Sequence, residues 1–226
     1  YDSKDALKLT TEQSMLLTRT YRAFVRNGAL LTDAQKTRVG AIDERLSIIG
    51  ETYKKNVTDA SSLYELFITD KARLAGLSEK AVKGAAQKAK AAGRDGAWLF
   101  TLDAPSVTAV LTYADDRALR EEMWRAFSGR AASGEHDNRL VLLEIAKLRQ
   151  ERAAILGYDT HAHYVTEDRM ALNPVTVEKF LGKLAEAYRP AAEKDLADLK
   201  AFAGHDMEPW DVGYYSEKIR EDRYGY

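Results

Sequence analysis

The sequence predicts a mainly helical fold with one small antiparallel β ribbon. Apolar residues recur at the helical period of 3.6 in several segments, with capping residues before them and glycines after them. Only two short stretches are rich in β-branched and aromatic residues instead. Because no internal repeat, low-complexity segment or long linker divides the chain, residues 1–226 are interpreted as a single helical region.

Two helices are predicted at the start of the chain. The first covers residues 11–27 and ends at Asn27-Gly28. The second begins after the N-cap Thr32, and its apolar stripe favours core packing against the first helix over a partner-binding seam. The stripe consists of Val39, Ile42, Leu46, Ile49, Tyr53 and Val57.

The two strand candidates lie in the middle of the sequence, at residues 63–69 and 98–102. Between them, Ser78 is placed to cap a helix that runs from Glu79 to Ala92 and stops at Gly93. We therefore expect the two strands to pair as an antiparallel ribbon, with this helix forming the connection between them.

In the second half of the chain the sequence predicts helices joined by loops, and no further strand. Further helices are expected to begin at Pro105, after Asp115-Asp116, after Asp137, near Thr160, at Asn173-Pro174 and near Asp211.

Composition and charge exclude several function classes. The 34 Lys and Arg residues balance 35 Asp and Glu residues to a net charge of −1, so no basic surface for nucleic acid is expected. No apolar run is long enough for a membrane span, and the start of the sequence does not match a signal peptide. The absence of cysteine excludes disulfides and thiolate metal sites. We expect a cytoplasmic protein, with the periplasm as the alternative.

Histidine is the scarce residue on which a metal site would depend. His161 and His163 are two residues apart, which separates them by about 200° on a helix, so they could share a metal only in extended chain. His136 and His205 fall in glycine-containing loops, and no HExxH sequence is present. We therefore predict no metal ligands, no catalytic residues and no cofactor-binding residues within this chain.

Other catalytic and modification motifs are weak or absent. The sequence contains no Gly-x-Ser-x-Gly elbow, P-loop or dinucleotide fingerprint, and its acidic residues fall on predicted helix exteriors beside Lys or Arg. Asn56-Val57-Thr58 matches a glycosylation sequon but falls at a predicted helix end, and we assign it no role.

Several short stretches, taken in order along the chain, match the pattern of a known family. The first are Glu12-Gln13, Leu16-Leu17, Tyr21 and the run from Phe24 to Ala29. The others are Leu74 to Leu77, Trp98 with Thr101-Leu102, Pro105-Ser106, Leu119 to Glu121, Asp137 to Arg139, Leu148-Arg149, Leu156 to Tyr158, Met170-Ala171 with Pro174, Pro209 to Asp211, and Tyr214-Tyr215. In content and order these stretches resemble the M3 family of zinc metallopeptidases, and within it most of all the bacterial peptidyl-dipeptidases.

The resemblance implies a zinc-dependent parent enzyme that hydrolyses short peptides. In that family two histidines of HExxH and a more distal glutamate hold the zinc, and the glutamate of the motif activates water. This apparatus follows the segment found here. The resemblance thus implies that residues 1–226 are a non-catalytic helical portion, forming part of the wall of a substrate channel and binding no zinc themselves.

Truncation at both ends is our interpretation of a chain that starts at Tyr1 and stops at Tyr226 directly after a helical pattern. Its expected partners are the remaining segments of the same polypeptide and, for the chain alone, a second copy. Arg149 and Arg152 lie on a predicted apolar helix face, and we favour buried ion pairs over channel-facing charges for them. The alternative function is a stand-alone helical interaction module without peptidase activity.

Overall fold

The structure is a computed structural model that describes residues 1–225. Within that range it contains nine α-helices, one two-stranded sheet and three short 3-10 helices, so the predicted fold class is confirmed. The helices are α1 (Thr11–Arg26), α2 (Asp33–Ser62), α3 (Glu79–Ala91), α4 (Ala104–Tyr113), α5 (Arg117–Ser128), α6 (Arg139–Ile155), α7 (His161–Thr166), α8 (Pro174–Ala203) and α9 (Pro209–Tyr224). The strands are β1 (Leu66–Ile68) and β2 (Trp98–Phe100).

The chain divides into two compact units. Unit one consists of Tyr1–Thr52 and Leu140–Leu181, and unit two consists of Tyr53–Arg139 and the chain from Gly182 onward. Among the described residues, no helix combines the length and the apolar composition that a membrane crossing requires.

In unit one, α2 and α6 are joined by ion pairs spaced seven residues apart. Arg38 binds Glu151 through two hydrogen bonds of 2.6 and 2.8 Å, and Arg45 binds Glu144 through two of the same lengths. Because the pairing runs in opposite directions along the two sequences, the helices are antiparallel. The apolar stripe of α2 is buried in this unit at Val39, Ile42 and Ile49, as predicted.

Unit two is built on the β ribbon and the helices that follow it. Phe67 pairs with Leu99 in an antiparallel register, which confirms the predicted ribbon. Its core joins the ribbon to α3, α4 and α5, and its buried members include Ile68, Leu74, Phe100, Val107, Val110, Leu119 and Met123. The predicted caps of this region are present, since Ser78 accepts a hydrogen bond from the Ala81 N–H and Asp116 accepts from the first turn of α5.

The last helix begins earlier than the sequence suggests. Pro209 occupies its first turn and Glu208 is its N-cap, so α9 starts two residues before Asp211. The sequence predicts a capping role for Asp211, and its carboxylate does accept a 3.1 Å hydrogen bond from the Glu208 N–H. However, its side chain is fully buried and its main partners are arginines of α5.

Candidate functional site

The most deeply buried charges of unit two are Arg120 on α5 and Asp211 on α9. Arg120 is 1% exposed and Asp211 is 0% exposed, and the guanidinium Nη2 lies 2.9 Å from the Asp211 Oδ1. Arg120 also donates to the backbone carbonyls of Ala114, at 2.8 Å, and Trp210, at 3.3 Å. Every side of this guanidinium is therefore used to hold the end of α4, α5 and α9 together.

Two further residues complete this arginine–aspartate cluster, which we define as Arg117, Arg120, Asp211 and Tyr214. Arg117 donates to Asp211 at 2.7 Å from its half-exposed position, and the Arg120 guanidinium lies 4.0 Å from the Tyr214 ring centroid. Burial alone would raise the pKa of Asp211, but hydrogen bonds from Arg117 and Arg120 lower that pKa to about 2. Asp211 is thus a carboxylate at neutral pH, and the cluster is a structural anchor without a group that exchanges protons there.

Trp210 lies beside this cluster, on α9. Its ring packs 5.7 Å from the ring of Trp124 at an angle of 59°, and Arg125 lies 5.0 Å from its centroid. Within residues 1–225, its indole N–H is buried without a hydrogen-bond acceptor. An indole with an unsatisfied N–H loses part of the stabilisation that its burial provides.

A groove of about 580 Å³ runs between α3 and α4. We call it the α3–α4 groove; its apolar lining is formed mainly by Ala81, Gly84, Ala85, Phe100, Pro105 and Ala109. One end is closed by Lys88, whose ammonium lies 2.5 Å from the Asp103 carboxylate. Burial raises the pKa of Asp103, but hydrogen bonds from Lys88 and Thr101 outweigh this effect and hold the pKa well below its usual range.

Unit one has a polar cleft between α1 and α7. Arg26 contacts Glu167, donates to the Tyr164 carbonyl at 2.7 Å and lies 4.7 Å from the Tyr164 ring centroid. The Tyr158 hydroxyl donates to Glu167 at 2.5 Å, and this bond is the main cause of the lowered pKa of Glu167. The rim carries Arg19 and Arg22 together with Asp168, so both signs of charge face the cleft.

The histidines do not come together at a metal site. His161 and His163 both lie on α7, where the first packs against Tyr164 and the second has its Nδ1 2.8 Å from the Thr160 hydroxyl. His205 contacts Tyr215 at 2.9 Å in the connection between α8 and α9. In the part of the chain that the structure describes, no three His, Asp or Glu side chains are placed to hold a metal ion.

Of the two arginines of α6, Arg152 forms the predicted ion pair, but the pair is only partly buried. The Arg152 side chain is 14% exposed and its Nε lies 2.6 Å from Asp43 Oδ1, whereas the Asp43 side chain is 48% exposed, so the ion pair is open to solvent on the aspartate side. Arg149 is exposed instead. The sequon residue Asn56 has its side chain engaged, because it donates to the Asn138 side chain at 2.9 Å.

Sequence reasoning missed the arginine–aspartate cluster, although its residues lie within the stretches that carry the family resemblance. Arg120 lies beside Leu119 and is followed by Met123, so it stands on the apolar face of α5. A charged residue within an apolar stripe indicates a buried partner, and the acidic residue next to Trp210 is that partner.

A sequence model described as Peptidase family M3 matches residues 110–226, just over half of the chain. The chain belongs to peptidase family M3. The match covers α5, α6, α7, α8 and α9, and therefore both partners of the Arg120–Asp211 ion pair. Peptidases of this family are zinc-dependent, but residues 1–225 do not provide a ligand set that fits zinc.

Individual M3 relatives match almost the whole chain. Oligopeptidase A of Salmonella typhimurium is 42% identical over 226 residues, and Oligopeptidase A of Escherichia coli is 41% identical. Each match covers 96% of this chain and 33% of the relative, so the chain spans about a third of the length of these proteins. The dipeptidyl carboxypeptidase of Escherichia coli is 27% identical over 230 residues, which covers 99% of this chain and 34% of that protein. The expected likeness to peptidyl-dipeptidases is therefore weaker than the likeness to oligopeptidases A.

Proposed function

We propose that residues 1–226 are a non-catalytic helical portion of a longer zinc peptidase that hydrolyses short peptides. The observation that carries this proposal is the family M3 match, supported by identities above 40% to two oligopeptidases A. The chain has no HExxH sequence, and it spans a third of the length of these relatives. In this proposal the zinc ligands belong to another part of the same polypeptide.

The channel-wall role of this region comes from the family resemblance. The arginine–aspartate cluster supports it, because a wall element must keep its helices in place while peptides pass. Three helix segments meet at one buried guanidinium, which limits their relative movement. Photo-crosslinking of a peptide inhibitor to the longer protein, followed by mapping of labelled peptides, tests the role. Labels confined to segments outside residues 1–226 would contradict it.

The catalytic assignment is tested with the longer reading frame. We expect the longer protein to bind zinc and to cleave an internally quenched peptide of about eight residues, and we expect a chelator to stop cleavage. The 226-residue chain is expected to show no turnover under the same conditions. Turnover by the chain alone would contradict the non-catalytic assignment. A longer reading frame without HExxH and without activity would instead favour the alternative, a helical interaction module.

Two peptidase activities can be distinguished by whether cleavage requires a free C-terminal carboxylate on the peptide. The names of the more similar relatives favour cleavage of oligopeptides, whereas a dipeptidyl carboxypeptidase removes dipeptides from a free C-terminus. We propose the first activity. Mass spectrometry of digests of one peptide, with a free or an amidated C-terminus, distinguishes them, because an enzyme that recognises the terminal carboxylate loses most of its activity on the amide.

The proposed compartment is the cytoplasm, with the periplasm as the alternative. Among the relatives, one Arabidopsis thaliana protein is named a probable cytosolic oligopeptidase A, and another is named an organellar oligopeptidase A. Fractionation of cells that express the longer protein tests the proposal. Recovery in the periplasmic fraction would support the alternative.

A further inference from the structure

The α3–α4 groove is separate from the arginine–aspartate cluster and has the dimensions of a small-molecule site. Its volume of about 580 Å³ lies within the range of about 300–1,000 Å³ that is usual for ligand pockets. The space exists because α3 presents Ala81, Gly84 and Ala85 to it, and a Cβ built on Gly84 meets no atom within 4 Å. The groove is thus open where larger side chains would fill it.

The helix on the other side of the groove is unusual for an exposed element. Helix α4 contains no charged residue, yet Ala104, Pro105 and Thr108 are exposed on it. A helix face that meets only water normally carries charged or strongly polar side chains. An uncharged, solvent-facing wall opposite a row of small residues is the pattern of a surface that binds an apolar group.

The two ends of the groove differ in charge. The ends can be assigned because Lys88 contacts Asp103 and Ser106 at the start of α4, whereas Gly76, just before α3, lies against the carbonyl of Tyr113 at the end of α4. At the first end the cation is neutralised by Asp103. At the second end Lys80 is exposed, and its ammonium makes no ion pair or hydrogen bond with any residue from 1 to 225.

We propose that the α3–α4 groove binds a small amphiphilic anion, with the apolar chain along Gly84 and Ala109 and the anionic head near Lys80 and Tyr113. The distance along α3 from Ser78 to Lys88 is about 15 Å at 1.5 Å per residue, which accommodates a linear acid of about ten carbons. Because no residue from 1 to 225 neutralises the Lys80 ammonium, a carboxylate or sulfonate head group is expected to bind there better than a neutral one. The opposite end, closed by Lys88 and Asp103, takes no part in charge recognition.

The test uses decanoate as the probe and the full 226-residue chain. Isothermal titration calorimetry of the wild type is expected to show one saturable site. Gly84→Phe places a ring in the groove and is expected to weaken binding at least tenfold. Gly40→Phe is the matched control, because Gly40 also lies in a helix with no atom within 4 Å of a built Cβ and is remote in sequence from the groove. Thermal melts establish that both variants are folded.

A second pair of measurements separates the head group from the chain. Lys80→Gln is expected to weaken decanoate binding several-fold and to leave the binding of 1-decanol unchanged. Equal affinities of the Gly84→Phe and Gly40→Phe variants would overturn the proposal. So would the absence of saturable decanoate binding by the wild type, or a groove that binds only an acidic amphipathic peptide.

Discussion

Arg120 is a single side chain on which three parts of unit two depend. It reaches Asp211 across helices and also donates to three backbone carbonyls, so its loss removes a partner of a buried carboxylate and leaves backbone acceptors unpaired. Burying such a pair is expensive, and its presence is not by itself evidence of extra stability. Removal of one partner, however, is costly in any case.

We predict that Arg120→Met lowers the free energy of unfolding by about 3 kcal/mol, because it breaks a buried ion pair. Arg125→Met on the same helix is the control. That side chain is 61% exposed, forms an ion pair with Glu121 and lies over the Trp210 ring, so a loss of no more than about 1 kcal/mol is expected. Urea unfolding of both variants checks the prediction. Equal effects would show that the buried pair has no special role.

The lowered pKa of Asp211 predicts how acid affects unit two. Its folded pKa of about 2 lies below its ordinary value of 3.8, so its contribution to stability is complete above about pH 4. That contribution is lost as the pH falls toward 2. Arg117→Gln removes the strongest hydrogen bond that lowers the pKa, so the pKa of Asp211 should rise and this acid-dependent loss should shrink. Carboxyl-carbon NMR titration of both proteins measures the pKa directly, and an unchanged pKa would contradict the assignment.

At the scale of single residues, the sequence indicates which arginine needs an ion-pair partner, but it does not identify a partner that is distant along the chain. Arg152 could be placed in an ion pair because an arginine on an apolar face needs an acidic partner, and the half-exposed Asp43 provides it. The partner itself could not be named from sequence, since it lies 109 positions away along the chain. The main role of Asp211 is hidden for the same reason: its local position before an apolar helix suggests a cap, and its arginine partners are distant in sequence.

At the scale of elements, replacing glycine by alanine is expected to have opposite effects in a turn and in a helix. Gly76 has a φ of +84°, and a Cβ added there would lie 2.1 Å from the Tyr113 carbonyl oxygen. We predict that Gly76→Ala lowers the free energy of unfolding by about 2 kcal/mol or more, because left-handed backbone alone costs an L-residue about 1–2 kcal/mol. Gly84→Ala should raise it by up to about 1 kcal/mol, because alanine favours the helix and has room. Thermal and urea unfolding measure both, and a neutral Gly76→Ala would contradict the close approach of this turn to α4.

Helices and strands can be predicted well here because their signals are local. These signals act within a few residues of the element that they predict. Helix α3 begins after the cap Ser78, α5 begins after the cap Asp116, and the β ribbon forms where the sequence changes from helical to β-branched and aromatic. The start of α9 differs from the prediction because Glu208 is the N-cap and Pro209 opens the first turn, ahead of the aspartate that marks a helix start in the sequence.

At the scale of the whole molecule, α8 exposes much apolar surface. No residue of this 30-residue helix is buried, and its large exposed side chains include Phe180, Leu181, Leu184, Tyr188, Leu196 and Phe202. Surfaces of this kind are usually covered by a partner or by another part of the same protein.

We predict that the 226-residue chain, produced alone, self-associates through α8. Tyr188→Glu should weaken association, because it places a charge where the side chain is 67% exposed and apolar contact is expected. Lys200→Glu, a charge reversal at an exposed position of the same helix, is the control. Sedimentation velocity over a range of concentrations measures association. A strictly monomeric wild-type chain would contradict the prediction.

The family can be inferred from the order of many weak motifs, whereas the particular member cannot. These motifs reflect the fold. Asn173-Pro174 is a helix-start signal, and Trp98 and Trp210 pack into the interior, so none of them carries information about a substrate. Substrate choice depends on the residues that contact the peptide, and the stretches that carry the resemblance are interpreted as structural. This is why the sequence supports an M3 peptidase more firmly than it supports a peptidyl-dipeptidase.

The tilted contact between Trp124 and Trp210 gives the protein a built-in optical reporter. With ring centroids 5.7 Å apart, the electronic transitions of the two indoles couple, and the coupling produces paired bands of opposite sign in circular dichroism. One indole is on α5 and the other on α9, so the bands exist only while these helices are docked. Stopped-flow dichroism at the indole bands would therefore follow the joining of two segments that are far apart in sequence, without any attached dye.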